Sequence, residues 1–146
     1  MKYLKLYHIP IAYMLVYVVG ILVTGVWLFL LSQGLGSSDI LQTLTQIATL
    51  PETKSLHNFI EVATPHLFAM ATLIFVVAHF MLFSTKISQR FSLRFSVLLF
   101  IVALLNILAY ILIIFGVVVS GWIKLLLLAL FVLLFLLLLG MVAFSL

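Results

Sequence analysis

The side chains best suited to chemistry crowd into one stretch. It reads His57-Asn-Phe-Ile-Glu61-Val-Ala-Thr-Pro65-His66-Leu-Phe-Ala-Met70, followed by Thr72 and His79. The chain has four histidines and no cysteine, which removes disulfides, thiolate metal sites and cysteine nucleophiles. Histidines on facing helices can hold haem b. The candidate ligands are His79 and His66, paired with His8 or His57. His57 and Glu61, one helical turn apart, can share a metal ion, and His66 joins them if the backbone bends at Pro65. On a regular helix Glu61 and His79 project in about the same direction, Thr72 lies within about 20° of them, and His66 points roughly 140° away from His79. Met70 shares the face of His66, so it is a poor partner on the opposite side of one iron. The alternative to any cofactor is a polar cluster with no chemistry, in which neutral His79 meets Tyr13, Tyr17, Thr72, Asn106 or Tyr110. No catalytic residues stand out: there is no phosphate loop, no serine in an elbow sequence and no paired carboxylates inside an apolar run.

These residues need elements that suit a bilayer. Of 146 residues 67% are hydrophobic and 7% charged, against about 25% charged in a soluble domain. Lipid must cover surface that a water-soluble fold of this size has no way to hide. A spanning helix needs roughly 20 apolar residues, and four segments supply them, at about 9–31, 64–83, 95–119 and 122–144. The second has a candidate extension back to His57, since Thr64 and Pro65 also read as a helix start. The runs are long and continuous, without the alternation of barrel strands. The expected fold is therefore all-α: a polytopic four-transmembrane-helix bundle forming a single domain over residues 1–146.

The connections differ in character. The first holds Asp39 to Leu50, closed by Pro51, with Ser38 as a capping residue. Ile40, Leu44 and Ile47 fall on one face, which predicts a short amphipathic helix on the membrane surface or over the bundle mouth. The second, Ser84 to Arg94, is polar and basic. The third is read as Ser120-Gly121 alone, making the last two spans a tight antiparallel hairpin. With the N-terminus inside, the cytoplasmic side receives Lys2, Lys5, Lys86, Arg90 and Arg94, and the outer side Lys54 and Lys124. The positive-inside rule thus predicts cytoplasmic N- and C-termini, and Lys124 is expected to snorkel outward.

The net charge of +4 comes from residues scattered at helix ends rather than a basic stripe, so nucleic acid is not an expected partner. The bilayer is, together with other membrane subunits or a second copy. The first span carries Tyr13, Tyr17, Gly20 and Thr24 on one face, a stripe suited to close helix contact. The last span is a leucine run broken by Gly140 and reads as a lipid-facing helix or a partner site.

Glu61 to Met70, followed by Ala78-His79-Phe80, resembles a pattern in small uncharacterised four-span bacterial inner-membrane proteins. That resemblance implies an inner-membrane location and brings no activity. A four-helix family of porphyrinogen-oxidising membrane proteins does not fit, because Ile9-Pro10-Ile11-Ala12-Tyr13 after His8 lacks its Trp- and Arg-containing stretch. The leading expectation is a non-enzymatic subunit or accessory factor. The alternatives are a haem b electron-transfer subunit and a metal-binding membrane protein.

Overall fold

A computed structural model describes residues 8–35, 39–53, 55–82 and 86–145. Its elements are α1 (His8–Ser32), α2 (Ile40–Thr49), α3 (Leu56–Met81), α4 (Gln89–Ile114) and α5 (Trp122–Ser145). Four of them, all but α2, are long and apolar enough to cross a membrane.

Local chemistry sets the ends. Ser55 caps α3 by accepting the Asn58 N–H at 3.3 Å, so α3 starts at Leu56 and Pro65 lies in its interior. The extension back past His57 is the correct reading of this span, and the start at Thr64–Pro65 is not. Ser88 caps α4 in the same way, accepting from Phe91 N–H at 3.3 Å. Helices α1 and α4 both stop in a glycine with positive φ, Gly34 at 103° and Gly116 at 68°. Around each, two crossed backbone bonds close the end: Gly34 N–H to Leu31 with Leu35 N–H to Leu30, and Gly116 N–H to Ile113 with Val117 N–H to Leu112. This is the Schellman arrangement, for which glycine pays no Cβ penalty. It ends α4 at Ile114 rather than Val119, so the last connection is longer than Ser120-Gly121.

Helix α2 covers the end of the bundle where α1 and α4 finish. Its cap is Asp39, without a side-chain hydrogen bond; the expected cap, Ser38, lies outside the described residues. The buried face is Thr43, Ile47 and Ala48, while Ile40 is exposed. The amphipathic helix is therefore present but rotated from the Ile40–Leu44–Ile47 face. It is held to the α4–α5 connection through one carbonyl: Ala48 O accepts from Ser120 Oγ at 2.7 Å and from Gly121 N–H at 3.2 Å.

The centre of the bundle is α5. It packs against α1, α2, α3 and α4 and buries Phe131, Phe135, Leu138, Leu139 and Val142. The last span, read as lipid-facing or a partner site, thus buries one face and leaves the other, with Leu126, Leu133, Leu136 and Leu137, exposed. Peripheral to it is α1, of which only Ile11 and Val18 are buried. With Leu15 and Leu22 they form a seam at alternating spacings of four and three toward the core. At the opposite end from α2, Lys86 Nζ donates to Phe144 O at 2.7 Å and lies over the Phe144 ring at 4.9 Å, tying the α3–α4 connection to the end of α5.

Candidate functional site

The polar groups that the fold does bury meet beneath α2. Lys124 stands in the first turn of α5 yet is only 9% exposed. Its Nζ turns inward and donates to both the backbone O and the side-chain Oδ1 of Asn106, each at 2.8 Å. The Phe29 ring of α1 faces the same ammonium, its centroid at 5.5 Å. The expected snorkelling is thus overturned: Asn106 offers the ammonium two acceptors inside the bundle. One turn along α4, the Tyr110 hydroxyl donates to Glu52 O at 3.0 Å, and its ring stacks on Phe59 at 5.5 Å. Gln33, just past α1, accepts the Glu52 N–H on Oε1 at 3.2 Å. These groups surround a cavity of about 390 Å³ whose wall includes Gly25, Phe29, Gln33, Asn58, His66, Tyr110 and Lys124.

Residues 31–146 match a family described as a transmembrane helical domain, Aq_1264_TM. The chain belongs to the Aq_1264_TM family. No curated protein and no solved structure matches the chain. The Aq_1264_TM segment takes in α2 to α5 and, of α1, only Leu31 and Ser32. The part of the chain that builds the hub on α5 is thus the part the family shares, and most of the peripheral helix is outside it.

Within this Aq_1264_TM bundle the residues expected to do chemistry are spread apart. His57, Glu61, His66, Thr72 and His79 all ride on α3 and are exposed. His79 stacks on Phe75 at 5.9 Å. His8 opens α1, whose principal packing is against α5 rather than α3. Among the described residues no three histidine or acidic side chains gather as metal ligands; His57, Glu61 and His66 are not brought together as a triad. The expected polar cluster divides. Asn106 and Tyr110 are buried near the α2 end, whereas Tyr13, Tyr17 and Thr72 face outward. Of the tentative ligands His66 alone lines the cavity beside Lys124. Lys124 and Gln33 are the site residues that sequence reasoning missed. Asn106, an amide deep in an apolar span, was the available signal that something polar had to meet it.

Proposed function

We propose that this Aq_1264_TM chain is a non-enzymatic membrane subunit or accessory factor that packs against a partner helix through the outward face of α1. The observation that carries this reading is Tyr17. It lies nine residues into α1, roughly 13 Å from the helix start and so near the middle of an apolar slab about 30 Å thick. Tyr17 is 73% exposed and its neighbour Tyr13 66%. Tyrosines that face lipid belong at the two interfaces, where the hydroxyl is wet. One at the midplane with its hydroxyl in hydrocarbon is costly unless another helix covers it. The same face holds Gly20, beside which no atom lies within 4 Å of where a Cβ would sit. It is turned roughly 180–240° from the α5 seam of Ile11 and Val18. A small residue between hydroxyl-bearing ones is the pattern along which transmembrane helices approach closely.

The substitution Gly20→Leu is expected to weaken assembly on the order of tenfold. Since among the described residues no neighbouring helix comes within 4 Å of a Cβ built there, the thermal stability of the single chain should hold. Mass measurement of the complex in nanodiscs checks both. Unchanged assembly with Gly20→Leu would remove this face from the interface.

The reading also places the chain in a bacterial inner membrane with both termini in the cytoplasm. Lys86, Arg90 and Arg94 lie at the end of the bundle opposite α2, which supports that orientation under the positive-inside rule. A thiol introduced in the α3–α4 connection should then be labelled only after the membrane is permeabilised. Labelling from outside intact cells would reverse the topology.

A further inference from the structure

At the α2 end of the bundle two buried donor groups, Lys124 and Gln33, lie on one cavity wall. An ammonium has three N–H groups; Asn106 takes two from Lys124, the face of Phe29 stands 5.5 Å away, and His66 shares the cavity wall. Gln33 is 1% exposed. Its amide orientation is fixed, because Oε1 accepts the Glu52 N–H and a flip would set donor against donor. Its Nε2 is left buried with no acceptor. Both residues line the 390 Å³ cavity, and no described carboxylate pairs with Lys124. A buried ammonium without a counter-charge is expensive at membrane depth, and each unfilled buried donor adds to the cost. An anion in the cavity would supply Lys124 with the counter-charge that no described carboxylate provides.

The shape of the cavity adds a second property. It lies between α1 and α3, which each pack on α5 rather than on one another. Its rim carries Leu28 and Val62, both exposed. Below it a smaller void of about 100 Å³ shares Gly25, Phe29, His66 and Lys124 and continues among Leu22, Leu73 and Phe135. The room arises in the sequence. The seam residues Ile11, Leu15, Val18 and Leu22 fill the interface with α5, and the next seam position is Gly25, where no atom lies within 4 Å of a built Cβ.

We propose that this cavity binds an anionic amphiphile. A carboxylate or phosphate oxyanion sits on Lys124 Nζ beside Gln33, and the apolar chain leaves between α1 and α3. The site is independent of the outward α1 face, which points the other way.

The test uses the full chain, purified in a non-ionic detergent, delipidated and titrated by native mass spectrometry. The probes are phosphatidylglycerol, oleate, phosphatidylcholine and inorganic phosphate. Charge-assisted hydrogen bonds predict that an anionic probe binds roughly ten- to a hundredfold more tightly than phosphatidylcholine. A preference for phosphatidylglycerol over oleate identifies a resident phospholipid as the source, and the reverse preference a single-chain acid; either supports the site. Gly25→Leu, which has space for its side chain, should keep the thermal stability and lose the binding. Gln33→Glu, which supplies an internal counter-charge to Lys124, should lose the preference for anions. Equal affinity for phosphatidylglycerol, oleate and phosphatidylcholine, or undiminished binding to Gly25→Leu, would overturn the proposal. Competition by inorganic phosphate as strong as by the amphiphiles would overturn the part played by the chain.

Discussion

Replacing Gly121 by valine is expected to lift α2 off the bundle. A Cβ at Gly121 would be forced into the backbone carbonyl of Ile47 and would also crowd the Ile47 side chain. Backbone cannot give way as a flexible side chain end can, so the helix itself must move. Moving it breaks the two bonds to Ala48 O, from Ser120 Oγ and Gly121 N–H, and exposes Thr43, Ile47 and Ala48. Overpacking costs about 1–3 kcal/mol and each lost hydrogen bond about 1 kcal/mol. A loss of about 3 kcal/mol is therefore expected in the docking of α2, with α3, α4 and α5 still assembled. The absence of cysteine from the chain makes the readout clean. A thiol placed by Thr43→Cys, nearly isosteric at a fully buried position, should resist labelling in the parent protein and react rapidly beside Gly121→Val. Equal protection in both would show that α2 is held by something other than this close approach.

The second large effect lies at Lys124. Asn106→Leu keeps the apolar volume and removes Oδ1, one of the two acceptors of the ammonium. Hydrogen bonds to a charged group contribute about 1.5–3 kcal/mol, and Asn106→Leu should destabilise the fold by about that much. Lys124→Met removes the charge itself together with its desolvation cost, and replacing buried charge by apolar volume is often neutral or stabilising. The double substitution should then restore most of the stability lost in Asn106→Leu alone. Unfolding in a mixed-micelle titration measures all four corners of this cycle. Additive effects would mean that Lys124 and Asn106 do not act on one another.

The four spans and the surface helix were legible because they rest on properties each segment carries by itself: unbroken apolar length and a proline after Leu50. The ends of α4 were less so. Reading its apolar run through to Val119 ignores Gly116, whose positive φ closes the helix at Ile114. That difference of about one and a half turns brings Asn106 toward the level at which Lys124 enters. The extended reading keeps the two apart and sends the lysine outward. The hub position of α5 was not legible, and the reason is physical. A leucine facing lipid and a leucine facing protein see nearly the same apolar surroundings, so a leucine run does not record which way it faces. The histidines of α3 are a different case: spacing on one helix says nothing of which helix lies opposite, and α1 packs chiefly on α5.

The centrality of α5 has a consequence for how the molecule is put together. Chains enter the membrane from the N-terminus onward, and spans insert before they associate. Helices α1, α3 and α4 therefore reach the bilayer while α5, the helix on which α1 packs, is still being synthesised. Until α5 arrives, α1 has no seam to lie on, and Asn106 has an amide in hydrocarbon without its lysine. The α3–α4 pair can form beforehand, since these two helices pack on one another, but α1 is joined to the bundle only late. An interruption before α5 would strand α1 beside an α3–α4 pair whose Asn106 lacks its lysine.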